Sequence, residues 1–155
     1  MLKQLAIACF SLMVCLAVCV DATNWRPCGG TGRNTVKFTV EGCEGRRLCP
    51  VRRGQSYWVE MQFRGSSDAD TLVASVLGKS RGMSSAMPLS TNNFDSNACD
   101  YLNGGCPVRR NTVHTYRYPL FIEPFFPPST YLINYGLKDA TGRSQGCARL
   151  IIRVM

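Results

Sequence analysis

The chain has 155 residues, is 45% hydrophobic and 18% charged, and carries a formal net charge of +8. Its length suits one domain with no linker and excludes any need for a structural metal to complete the core. The positive balance, carried mainly by arginines, favours anionic partners by long-range attraction without choosing among them.

In chain order, Lys3 and the apolar run from Leu5 to Val20 read as a secretory signal peptide. Val20-Asp21-Ala22 offers small or short residues at the cut, so residues 1–22 are expected to leave. A cut after Cys19 is the second choice. Cys9, Cys15 and Cys19 go with the leader. No later run of about 18 apolar residues exists, so a soluble, secreted, extracellular product is expected from residues 23–155.

Thr35 to Val40 alternates polar and apolar residues. Tyr57, Val59, Met61 and Phe63 do so again, with Trp58, Glu60 and Gln62 opposite. Leu72, Ala74 and Val76 share one side of Thr71 to Leu77. Tyr131, Ile133, Tyr135 and Leu137 follow the same rule, as do Ala148, Leu150, Ile152 and Val154, which send Arg149 and Arg153 outward. Period two predicts strands with one buried face. Asn103-Gly104-Gly105 and Lys138 to Gly142 are turn chemistry, and no segment has a helical period. The expected fold is an all-β sandwich of two antiparallel sheets.

Six cysteines follow the leader: Cys28, Cys43, Cys49, Cys99, Cys106 and Cys147. An even set in a secreted chain reads as a disulfide framework, although six cysteines alone allow about 15 pairings. The spacing favours Cys43 with Cys49 and Cys99 with Cys106 as short loops, leaving Cys28 for Cys147. The pentapeptide CPVRR follows both short loops, at Cys49 to Arg53 and Cys106 to Arg110, and reads as one structural solution used twice, with a strand beginning beyond each proline.

Several segments resemble one family. Cys28, Gly42-Cys43, Cys49-Pro-Val-x-x-Gly54, the loop closing with Cys106-Pro-Val, the aromatic and proline stretch before Tyr131, and Asp139 to Gly142 before Cys147 are similar to the lipid-recognition (ML) domain. That family includes the Niemann-Pick type C, type 2 sterol carriers, the mite group-two allergens and the endotoxin co-receptor. The resemblance spans residues 23–155 and implies an immunoglobulin-like β-sandwich with an apolar cavity between its sheets, the same three disulfides, and a bound lipid. It places Ile122 and Phe126 in the pocket and the Met87-Pro88-Leu89 turn at its mouth. Leu89 stands where the sterol carriers have an aromatic, and Ser84-Ser85 where they are richer in proline. The chain has no Asn-x-Ser/Thr sequon, so glycan-directed sorting is not expected.

The candidate lining is Phe38, Tyr57, Val59, Met61, Phe63, Leu72, Val76, Leu89, Tyr116, Tyr118, Ile122, Phe126, Tyr131, Ile133 and Tyr135. A filled core has the same pattern as a cavity wall. Phe121 to Pro128 combines large apolar residues with prolines that exclude a central strand, which predicts a loop at one sandwich end, over the mouth or against a membrane. Arg46-Arg47, Arg52-Arg53, Arg109-Arg110 and Arg117 are candidate contacts for anionic head groups, and His114 is a solvated surface histidine. One histidine and fully paired cysteines provide no catalytic or metal constellation. The expected protein is a monomeric, cofactor-free carrier, not an enzyme, for a sterol, fatty acid or other lipid. Its alternative is an innate-immune protein binding an anionic glycolipid such as lipopolysaccharide, and a membrane surface is a further anionic partner. Nucleic acid is not expected.

Overall fold

The computed structural model describes residues 22–30, 33–89 and 93–155, so the expected leader, apart from Ala22, lies outside the described residues. The strands are β1 (Arg26–Pro27), β2 (Thr35–Val40), β3 (Cys49–Val51), β4 (Ser56–Arg64), β5 (Val73–Ser80), β6 (Met87–Pro88), β7 (Val113–Phe121), β8 (Thr130–Lys138) and β9 (Ser144–Val154). A 3-10 turn spans Ala98–Tyr101. One sheet has the order β2-β4-β7; the other runs β1-β9-β8-β5-β6, with β3 also pairing with β9. Pairing is antiparallel except for β3, which lies parallel to β9. The result is the expected immunoglobulin-like sandwich.

Alternation decides which side chains fill it, because successive residues of a strand point to opposite faces. Val59, Met61 and Phe63 of β4 face inward from one sheet and Tyr131, Ile133, Tyr135 and Leu137 of β8 from the other, all buried. β2 breaks the rule. Val36 shares parity with Phe38 and Val40 but is 55% exposed. The register shifts between Thr35 and Lys37, so Thr35 turns inward instead. Its hydroxyl donates to the Cys147 carbonyl (3.1 Å) and accepts from the Cys147 N–H (2.8 Å), joining the two sheets.

That contact lies beside the Cys28–Cys147 disulfide, with Cα atoms 5.5 Å apart. Cys43–Cys49 fastens the passage from β2 in one sheet to β3 in the other. The opposite flank is closed by the segment between β6 and β7. Its Ala98 N–H donates to the Leu72 carbonyl (2.9 Å) and its Asn103 N–H to that of Thr115 (2.8 Å). Phe94 and Tyr101 set their rings edge-on to Tyr118, with centroids 5.1 and 4.7 Å away. Cys99–Cys106 staples this segment.

The two CPVRR copies take different structures. In the first, Cys49–Val51 form strand β3 and the two arginines follow it. In the second, the Cys106-Pro107 bond is cis, Val108 exchanges two backbone hydrogen bonds with Ala69, and the chain turns at Asn111 (φ 61°) before β7 begins. The partners differ: one copy lies along β9 and the other bridges a loop, so the shared pentapeptide does not dictate a shared conformation.

One end of the sandwich, at the junction of β8 and β9, is sealed by polar groups. Asp139 accepts from the Thr141 hydroxyl (2.6 Å) and from the N–H groups of Thr141 (3.0 Å) and Arg143 (2.9 Å). The fully buried Gln145 donates to Ser67 Oγ (2.8 Å) and Asp139 Oδ2 (3.3 Å) and accepts from the Ser66 N–H (2.9 Å). The Thr141 hydroxyl bond is the main reason that the Asp139 carboxyl lies below its ordinary range; burial opposes it and the backbone donors add to it.

Two expectations follow. The Cys28–Cys147 bridge spans 119 positions and the short bridges 6 and 7. On chain-entropy grounds a loop of ~100 residues contributes ~4.7 kcal/mol and one of ~15 residues ~3 kcal/mol. Paired Cys→Ser replacement of the long bridge therefore lowers the melting temperature more than replacement of either short one; equal shifts would contradict the ranking. A depressed native carboxyl adds stability that is fully present above its unfolded pKa and is lost as pH falls through its folded value. Asp139→Asn is accordingly destabilising at pH 7, with the gap from wild type steady down to ~pH 4 and closing in stronger acid, measured by thermal melts across pH.

Candidate functional site

At the end opposite the Asp139 network the facing side chains do not meet. An apolar cavity opens between the sheets there. One wall is built by Phe38 and Val40 of β2, Tyr57 and Val59 of β4, and Leu120 and Phe121 of β7. The other is built by Val51 of β3, Val76 of β5, Tyr131, Ile133 and Tyr135 of β8, and Leu150, Ile152 and Val154 of β9. Leu89, Ile122 and Phe126 complete it from the loops.

The wall is carbon except for three tyrosine hydroxyls, and each of these has a protein partner. Tyr57 donates to Gln55 Oε1 (3.1 Å) and accepts from the Arg52 N–H (2.8 Å). Tyr131 donates to the Pro127 carbonyl (3.0 Å). Tyr135 bonds the hydroxyl of Tyr116 (2.9 Å), and burial raises both of these phenols well above the ordinary tyrosine range. Among the described residues, no lysine, arginine, histidine or carboxylate lines the space. Such a surface can bind an apolar molecule by removing it from water and has no group placed for covalent chemistry.

The space is narrow. The cavity volume is about 50 Å³. A small-molecule site typically needs ~300–1,000 Å³. Taking up a lipid therefore requires the walls to move apart.

Leu89, Phe126 and Tyr131 line both this cavity and a wider outer vestibule formed with Met83, Met87, Phe125 and the Pro127-Pro128 turn. They form the neck. Met87-Pro88, expected as a turn, pairs with β5 as strand β6, which sets Leu89 over the opening. Gly78 of β5 lies beneath: a Cβ added there would run into the Leu89 side chain, so the glycine makes room for it. On the other side of the neck, Phe125 is 68% exposed and its ring lies 5.1 Å from that of Phe126. Asn93 Nδ2 donates to Glu123 Oε1 (2.7 Å) and ties the two mouth segments together.

Of the sequence candidates, Phe38, Tyr57, Val59, Val76, Leu89, Ile122, Phe126, Tyr131, Ile133 and Tyr135 line the cavity. Met61, Phe63, Leu72, Tyr116 and Tyr118 do not; they lie in the filled core. Met61, Phe63, Tyr116 and Tyr118 occupy the inward face of their strands but sit nearer the sealed end, and Leu72 is buried just ahead of β5. Val40, Val51, Leu120, Phe121, Leu150, Ile152 and Val154 were missed. For the β9 residues the signal is the alternation of Leu150, Ile152 and Val154, whose inward face has the same pattern whether it fills a core or walls a cavity.

The arginines do not gather around one rim. Arg53 donates to the Pro124 carbonyl (3.4 Å) beside the mouth. Arg109 and Arg110 sit near the sealed end, where the Arg110 N–H donates to Asp68 Oδ1 (2.8 Å). Arg117 lies over the Trp58 ring at 4.2 Å on the outer face of its sheet. His114 is likewise distant from the cavity: it stacks on Phe63 with centroids 5.6 Å apart and accepts from the Arg109 N–H (3.0 Å). Gly78-Lys79-Ser80-Arg81-Gly82 has the spacing of a hydrolase nucleophile elbow. It lacks the strand-to-helix context, since Ser80 ends an antiparallel strand opposite Tyr131 and its N–H donates to Met83 Sδ (3.2 Å) in a turn.

Residues 22–154 match the profile of the ML domain. The chain belongs to the ML domain family. This is a lipid-binding family, and the chain is 23% identical to the NPC intracellular cholesterol transporter 2 homolog a of Drosophila melanogaster, over 99% of both chains. A Niemann-Pick type C2 protein from Japanese carpenter ant shares the fold with a TM-score of 0.73 at 17% identity, over 85% of this chain and 99% of that one. Chicken MD-1, solved with lipid IVa, shares it more distantly: the TM-score is 0.51 at 13% identity, over 83% and 87% of the two chains.

The neck can be tested with an apolar fluorescent probe. Ile122→Trp fills the cavity and lowers probe affinity at least tenfold, whereas Phe126→Ala widens the neck and speeds probe exchange several-fold. Circular dichroism checks the fold of each variant. Unchanged affinity and exchange in both would remove these residues from the binding site.

Proposed function

We propose that this protein is a secreted lipid carrier that takes one hydrophobic molecule, a sterol, fatty acid or other lipid, between its sheets and delivers it to a membrane or receiving protein. The observation that carries this reading is the gap itself, walled by carbon, sealed at one end and opening through a neck at the other. Residues 1–22 act as the leader, and the mature chain begins near Thr23, whose hydroxyl accepts from the Val40 N–H (3.0 Å). Similarity to a cholesterol transporter homologue supports the cargo class.

Transfer needs no covalent step. Burial of apolar surface at ~25 cal/mol per Å² supplies the affinity, and release requires only that the neck widen. A second reading, recognition of an anionic microbial glycolipid, draws on the Arg52-Arg53 pair beside the mouth and on the likeness to MD-1. It is the weaker of the two, because Arg109, Arg110 and Arg117 lie away from that mouth.

The deciding experiment is gentle extraction and mass spectrometry of lipid that co-purifies with the secreted mature protein. A stoichiometric sterol or fatty acid is expected. An empty protein that ignores added sterol and fatty acid, yet captures lipopolysaccharide in a salt-sensitive manner, would replace the carrier reading with the recognition one.

A further inference from the structure

The floor of the cavity is polar at one point. On the inner face of β8, Tyr131, Ile133 and Tyr135 line the space, and Leu137, the next inward residue, does not. Tyr135 is thus the deepest β8 residue to touch it. Its hydroxyl meets that of Tyr116, from the opposite sheet, at 2.9 Å. Both residues are buried, at 1% and 0% exposure.

Hydrogen counting makes this pair unusual. Two phenols bring two O–H donors, and the bond between them uses one. Among the described residues neither hydroxyl has another hydrogen-bond partner. One O–H is left without an acceptor in a setting where unmet buried donors are costly. The other cavity tyrosines differ, since Tyr57 donates to Gln55 and Tyr131 to the Pro127 carbonyl. Two phenylalanines would keep the rings and remove the unmet donor, so the hydroxyls are poorly explained by packing alone.

Resting on the carrier reading above, we propose that the Tyr135–Tyr116 pair is a hydrogen-bond donor site at the cavity floor, selecting an uncharged lipid whose inner end carries an oxygen acceptor. A ketone, aldehyde, ester, ether or alcohol fits. A carboxylate does not, because among the described residues the wall holds no cation to pair with it. The Tyr135 hydroxyl, which lines the cavity, is the donor: when Tyr116 directs its own hydrogen to the Tyr135 oxygen, the Tyr135 hydrogen is left free.

The test compares 2-tridecanone with tridecane, two probes of equal length, in wild type and in the double variant Tyr116→Phe/Tyr135→Phe. Removing both members of a bonded pair leaves no orphaned partner, so the double variant is expected to fold. The ratio of ketone to alkane affinity should fall about 3- to 10-fold in it, the usual worth of one such bond. Tyr116→Phe alone should keep the preference, since Tyr135 then donates directly. Independently of any variant, the infrared carbonyl stretch of 2-tridecanone bound to wild type should move below its position in hydrocarbon solvent.

An unchanged affinity ratio in the double variant, or an unshifted carbonyl stretch, would overturn the donor site while leaving the cavity as a lipid site. Failure of both probes to bind wild type would overturn the carrier reading and the donor site with it.

Discussion

Everything in this molecule depends on holding two sheets apart at one end while they pack tightly at the other. Apolar faces left to themselves close, because interiors gain most at full packing density. Two features oppose closure. The flanks are fixed: Thr35 of β2 bonds Cys147 of β9 across the sheets on one side, beside the bridge that fastens Cys28 to β9, and the stapled segment with Phe94 and Tyr101 joins them on the other. The fill is graded as well. Along β4 the inward residues run from Val59 at the cavity to Met61 and Phe63 in the filled core. β-Branched residues such as Val40, Val51, Val76, Ile152 and Val154 are short and stiff at χ1, so they cannot swing across to fill the gap.

The sequence made the sheets legible because alternation is a strong local signal, and the short cysteine loops made the staples legible for a similar reason. It failed where a long-range contact overrides the local pattern. Val36 looks inward by parity, yet the bond from Thr35 to Cys147, 112 positions away, shifts the register and turns it to solvent. The two CPVRR copies diverge on the same principle, since β9 and Ala69 are different partners. For the cavity, alternation identifies the inward face but says nothing about depth along it. Met61, Phe63 and Tyr116 were therefore indistinguishable from Val59 and Ile133 until the sealed end was located. Ile122 and Phe126 lie outside any alternating strand, and the family resemblance was what marked them.

The charge distribution bears on the same asymmetry. Arginines spread over both ends and over an outer sheet face act as a diffuse field rather than as a head-group clamp. A diffuse field raises encounter rates with an anionic surface and is screened by salt, but it does not orient a ligand.

A cavity this narrow is useful only if one part of the molecule yields before the rest. The sealed end is the wrong place for that, because moving it would break the bonds that Asp139 and Gln145 make to Thr141, Arg143, Ser66 and Ser67. The flanks are braced by the Thr35–Cys147 hydrogen bonds on one side and by the stapled segment on the other. The mouth has neither protection: β6 is two residues long, Phe125 is solvated, and the Asn93–Glu123 bond spans two loops. Segments with few buried contacts and exposed backbone open at the lowest free energy. Side-chain size opens the gap at one end, and bond density leaves that same end the easiest to move, so an entering molecule meets the least resistance where the space already begins.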